Sequence, residues 1–273
     1  MNLQLLRICA AIMIMNSLYN ITSLLFNKFT AEMTGDVNPI GFYIVTVLLY
    51  VVVFALGIVA LVKKNVLILK IYAVFIIISI LSGIIVDIVN FNHIYLPLGV
   101  DNAYLFNRLL ERIVTPLTVF VAAVFFIKPK TATQFGLLQF CAAFFMVDGA
   151  NDVIKSVMSL FSKGPENFVE SFSIMNAALI LLPIAVGVFA IVKRNSLVLK
   201  IYAVIAFVQM LWGSLGYMRE NMYGGYYVAG VFIGLIFSTF LVVCVATFFI
   251  EPEKTRAYFQ KAKSLFIKWK EMT

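Results

Sequence analysis

The sequence predicts an all-α polytopic membrane protein: eight transmembrane helices in two parallel four-helix repeats, followed by a C-terminal interfacial amphipathic helix. Three observations carry that expectation. Of 273 residues, 63% are hydrophobic and 12% charged, and the mean hydropathy is +1.01. Ordinary soluble domains are about 25% charged. The apolar residues fall into long runs separated by short polar punctuation, and part of the first half recurs in the second.

A hydrocarbon core of about 30 Å takes about 20 helical residues per crossing. Runs of that length lie at 3–26, 40–62, 66–90 and 102–127, then at 135–161, 169–192, 196–218 and 226–250. Gly35 with Asn38-Pro39, Lys63-Lys64-Asn65, Lys128-Pro129-Lys130 and Gly164-Pro165 mark gaps between them, since Gly, Pro and Asn end helices and Lys stays at the interface. The first run, with its early Arg7, has the look of a signal peptide, but a matching run in mid-chain identifies it as the first helix.

The repeat is the strongest feature. Residues 57–74 read GIVALVKKNVLILKIYAV and residues 187–204 read GVFAIVKRNSLVLKIYAV, identical at 12 of 18 positions with an offset of 130. Lys63, Lys64 and Lys70 fall on Lys193, Arg194 and Lys200, which similarity between two merely apolar runs would not arrange. Cys9-Ala10-Ala11 pairs with Cys141-Ala142-Ala143 at an offset of 132, and FFIKPKT at 125–131 resembles FFIEPEKT at 248–255. The expected units are 1–130, 131–255 and a basic tail at 256–273. Four spans per unit return the chain to its starting side, so the units are related by an axis along the membrane normal.

Placing both termini in the cytoplasm puts 15 of the 21 Lys and Arg on that side, which satisfies the positive-inside rule for a cell (inner or plasma) membrane. In the tail, helical periodicity gathers Tyr258, Phe259, Ala262, Leu265, Phe266, Trp269 and Met272 on one face. Lys261, Lys268, Lys263 and Lys270 flank it, the pattern of a helix lying on the cytoplasmic leaflet. A protein-docking helix is the alternative.

Function shows in the polar residues inside the spans, because a charge at a helix centre costs about 2.5–3.5 kcal/mol. Asp148, Asp152 and Lys155 form one stripe on the fifth span, with Asn151 beside it. Arg108, Glu111 and Arg112, with Asn107, lie in the first half of the fourth span, and Asp87 lies near the outer end of the third. Asn16 and Asn20 stand on the first span where Asp148 and Asp152 stand on the fifth, so the stripe is polar in both halves and ionised in one. On the eighth span Val231, Gly234 and Leu235 replace the charges of the fourth, and Gly230, Gly234 and Ser238 form a small-residue row suited to close packing. Pro116 and Pro183 are expected to kink or interrupt the fourth and sixth spans.

One His and three scattered Cys exclude zinc, bis-histidine haem and a disulfide framework, so no cofactor or metal is expected. The net charge of +8 is assigned to topology rather than nucleic acid. No nucleophile–histidine, HExxH, P-loop or Rossmann pattern occurs. The Asp148/Asp152 pair resembles a Mg²⁺–pyrophosphate site, but it lies toward the outside, away from cytoplasmic substrates, and the reading leans away from an enzyme. The expected function is transport or binding of a small polar or charged solute in an outward-facing cleft. There Arg108 and Arg112 attract an anionic group, and Asp148 and Asp152 carry a proton or cation. Asp87, Glu111 and Lys155 complete the charged layer, and Asn16 and Asn20 add neutral hydrogen bonds. The alternative is a non-catalytic subunit or scaffold whose charges are structural salt bridges.

Overall fold

In lipid every backbone N–H and C=O must be bonded within its own segment or closed into a barrel, so long apolar runs of this kind fold as helices. The computed structural model describes residues 3–34, 40–95, 97, 102–126, 136–163, 174–220, 236, 238–253, 256–257, 260, 264 and 267. Their helices are α1 (Leu3–Thr34), α2 (Ile40–Lys63), α3 (Val66–Asn90), α4 (Asn102–Ile113), α5 (Pro116–Phe126), α6 (Leu137–Lys163), α7 (Ile174–Lys193), α8 (Ser196–Glu220) and α9 (Thr239–Phe248). A π-helical turn, Phe91–Tyr95, extends α3. The described residues contain no strand.

Among the described residues, four helical stretches are long and apolar enough to cross a membrane: Leu3–Leu25, Ile44–Lys63, Val66–His93 and Leu137–Ser156. Apolar stretches at Leu181–Lys193, Ser196–Trp212 and Thr239–Phe248 are shorter. Two of the expected helices differ in form. The fourth run divides into α4 and α5 at Val114-Thr115. Pro116 has no N–H to give and takes the first position of α5, where none is required. Thr115 caps that start, its Oγ1 accepting from the Leu117 N–H at 3.5 Å. Pro183, by contrast, does not interrupt α7. Its ring occupies space vacated by Gly149 of α6, where an added Cβ would lie 2.5 Å from the Pro183 Cγ.

The two repeated turns share one geometry. Lys64 and Arg194 adopt left-handed φ of 52° and 50°. The following Asn65 and Asn195 N–H groups each reach back to an alanine carbonyl, Ala60 and Ala190, at 3.1 Å. That is a Schellman closure, with a basic residue where glycine is usual. Asn65 and Asn195 then cap the next helix, each Oδ1 accepting from the N–H two residues on (Leu67, Leu197) at 2.9 Å. Two residues thus end one helix and begin another.

Close crossings accompany these turns, between α1 and α2 and between α6 and α7. An added Cβ at Gly57 would lie 2.8 Å from the Ile14 Cγ1, and one at Gly187 would overlap the Met146 side chain and lie 2.9 Å from the Ala142 carbonyl oxygen. Ile14 and Met146 differ by 132, the offset seen in the sequence. Lipid is as apolar as leucine, so association here rests on van der Waals packing, which small residues at a crossing allow.

Burial is concentrated at one end of the bundle. It takes in the beginnings of α1, α3, α6 and α8 (Leu5, Leu69, Phe140, Leu199) and the ends of α2, α5, α7 and α9 (Ala60, Val124, Ala190, Ala246), all fully buried. Alternate ends of these helices therefore meet in a common core. The basic turns lie at this end, as does a bond from the buried Ser196 Oγ–H to Glu251 Oε2 at 2.7 Å. Toward the opposite end, Leu25, Val45, Ile85 and Phe106 are all more than half exposed.

Candidate functional site

Asp148 is the twelfth of 27 residues in α6, roughly 16 Å along it at 1.5 Å per residue, which is about half the thickness of a hydrocarbon core. Asp152 follows one turn later on the same face. Both line a cavity of about 550 Å³ whose other described walls are Pro183 of α7, Tyr202, Ala206, Gln209 and Met210 of α8, and Phe240 of α9. Tyr202, Ala206, Gln209 and Met210 recur at i, i+4, i+7 and i+8, so one face of α8 forms that wall.

An aromatic cluster packs beneath it. Tyr202 meets Phe145 edge-on at 5.0 Å between ring centroids, and Phe145 meets Phe240 in the same way at 5.7 Å. Such pairs prefer edge-to-face geometry because ring edges are positive and faces negative. Lys155 lies one turn beyond Asp152 and within electrostatic reach of both carboxylates. Among buried side-chain polar atoms of the described residues, Asn151 Oδ1 alone has no hydrogen-bond partner.

The first half answers this arrangement in neutral form. Asn16, the counterpart of Asp148, donates from Nδ2 to the hydroxyl of Tyr72, the counterpart of Tyr202, at 2.8 Å. Tyr72 rests edge-on against Phe120 at 5.6 Å. Asn20 donates to the Asn16 carbonyl at 2.7 Å, a bond within α1. No family model, curated protein or solved structure matches the chain.

The remaining charges group separately. Arg112 forms a two-pronged ion pair with Asp87, through Nε to Oδ2 and through Nη2 to Oδ1 at 3.0 Å. Its guanidinium lies over Gly83 of α3, where a Cβ would come within 2.5 Å of Nη1. Arg108 stands 3.9 Å from Glu111 on the same helix. The layer seen in the sequence thus resolves into two groups: the α3–α4 charges, where Arg108 also lies within electrostatic reach of Asp87 and Arg112, and the carboxylates of the α6 cavity.

Sequence reasoning missed Tyr202, Gln209, Phe240 and Pro183 as neighbours of the acids. A signal for two of them was present. Tyr202 lies in the repeated segment, and Gln209, a polar residue in an apolar span, follows it by two turns on the same face. The four flanking lysines and the aromatic positions of the tail, the Gly230 and Gly234 row, and the side chain of Asn107 lie outside the described residues.

Proposed function

We propose that the chain is an eight-span protein of a cell membrane, built from two parallel four-helix repeats with both termini cytoplasmic, and that it binds and transports a small polar or charged solute through an outward-facing cleft. The observation that carries this reading is the cavity of about 550 Å³ with Asp148 and Asp152 in its wall at mid-helix depth. Specific small-molecule sites are typically concave, of ~300–1,000 Å³, and mostly apolar with a few convergent polar groups. A bilayer tolerates two carboxylates at that depth only if they meet water, a counter-charge or a ligand. The end-weighted core supports the outward direction: packing is tightest beside the basic turns, which the positive-inside rule assigns to the cytoplasm.

Thiol accessibility tests it. In a chain with Cys9, Cys141 and Cys244 replaced by Ala, Asp152→Cys is labelled on intact cells with a membrane-impermeant reagent, with Asp36→Cys as the outer-loop control. Labelling comparable to the control is expected; a folded protein that stays unlabelled rules out the cleft.

The ion pair of Arg112 with Asp87 favours a second reading, a non-catalytic subunit or scaffold, because that pair is satisfied without any ligand. The two readings part at Asp152→Asn, which abolishes solute uptake at unchanged expression under the first and lowers stability under the second.

A further inference from the structure

The α6–α8–α9 cavity carries more chemistry than the presence of two acids, and its walls indicate the class of solute. Three features bear on it. Among the described residues, Lys155 is the base within electrostatic reach of the carboxylates of Asp148 and Asp152, one positive charge beside two acids. The described walls contain no cationic side chain, and the guanidinium of Arg112 is held by Asp87. Tyr202 and Phe240 contribute aromatic rings, with Ala206, Met210 and Pro183 completing the apolar part.

A bare metal ion does not suit these walls. Among the described residues no group of three or more His, Cys, Asp or Glu gathers to hold a metal ion, so two carboxylates would leave most of the six or more oxygens of a hard cation at about 2.0–2.6 Å to water. An organic cation suits these walls: a carboxylate for its charge, aromatic rings for cation–π attraction, apolar walls for its substituents and volume for its body. We infer that the cavity formed by Asp148, Asp152, Tyr202, Gln209 and Phe240 binds a monovalent organic cation of the amine or quaternary-onium class.

This inference rests on the solute-binding reading above, and the test keeps the two apart. The full chain in lipid nanodiscs is titrated with labelled tetraphenylphosphonium and, separately, with tetraphenylborate, ions of matched size and opposite charge, with empty nanodiscs as the blank. Saturable binding of the phosphonium and none of the borate is expected. Asp148→Asn and Asp152→Asn each weaken it about tenfold, the equivalent of ~1.4 kcal/mol. Tyr202→Phe, which keeps the ring, binds as the wild type, while Tyr202→Ala does not. Monodispersity and an unchanged thermal midpoint exclude misfolding as the cause. If the borate binds as well as the phosphonium, or if both Asn variants bind the phosphonium as the wild type does, the cation assignment is overturned. The cleft then stands wherever Asp152→Cys is still labelled. A folded protein unlabelled at that position overturns both.

Discussion

Gly57 and Gly187 occupy equivalent places in the sequence repeat, yet alanine should affect them unequally. Gly→Ala inside a helix gains about 0.8–1.0 kcal/mol of intrinsic propensity, while forcing a methyl into a filled crossing costs about 1–3 kcal/mol. At Gly57 the methyl meets the Ile14 Cγ1 at 2.8 Å, with backbone no nearer than 3.5 Å. A side chain can turn aside, so the two contributions roughly cancel. At Gly187 the methyl overlaps Met146 and also comes within 2.9 Å of the Ala142 carbonyl oxygen, which cannot move without shifting α6 itself. The expected net destabilisation is about 1–2 kcal/mol for Gly187→Ala and within about 0.5 kcal/mol of zero for Gly57→Ala. Equilibrium unfolding in mixed micelles, followed by Trp212 and Trp269 fluorescence, measures both. Met146→Ala in the Gly187→Ala background should restore part of the loss, because it removes the side-chain overlap and leaves the carbonyl contact. If Gly187→Ala is as stable as the wild type, or Gly57→Ala is the more damaging change, the close-crossing argument is wrong.

Further outcomes follow from individual contacts. Arg112→Gln or Asp87→Asn alone strands a charge and should cost about 1–2 kcal/mol, less than for a fully buried pair because Arg112 is 42% exposed; the charge-swapped double variant should regain at least half in the same unfolding assay. Ser196→Ala removes the bond to Glu251 Oε2 and should lower stability by about 1.5 kcal/mol, and a thermal midpoint equal to the wild type would refute that. Tyr72→Phe leaves the Asn16 Nδ2 without its acceptor and should cost about 1 kcal/mol, whereas Asn16→Leu with Tyr72→Phe together should cost less than the two separate losses added. Lys64→Gly relieves a left-handed φ of 52° and should be neutral or stabilising by up to about 1 kcal/mol; a loss greater than that would show that the lysine side chain itself supports the turn.

Much of the site was present in the one-dimensional pattern, but not its grouping. Asp148, Asp152 and Lys155 fall on one stripe by helical spacing, and α6 presents them so. Their depth is also a matter of counting along the helix. Neither spacing nor counting says which other span supplies the facing wall. Pairing Arg108 or Arg112 with Asp148 or Asp152 was as reasonable on depth as the observed pairing of Arg112 with Asp87. The choice turns on Gly83, whose missing side chain leaves room over α3 for the guanidinium. Pro116 and Pro183 make the same point: one begins a new helix after Thr115, and the other is accommodated because Gly149 stands opposite.

The sequence by itself determined the all-helical character, the apolar surface and the gap at Lys63-Lys64-Asn65, because each depends on residues within a few positions of one another. Helical period, hydropathy, N-capping by asparagine and the small residues at 57 and 187 are local quantities. Only the tertiary structure decided that the core gathers at the end with the basic turns, that Asn16 is bound to Tyr72, and that Asp148 and Asp152 share a cavity with Tyr202, Gln209 and Phe240. Those relations join residues 50 or more positions apart. They are set by which helix faces fit against one another, and apolar faces in an apolar solvent differ in shape far more than in hydrophobicity.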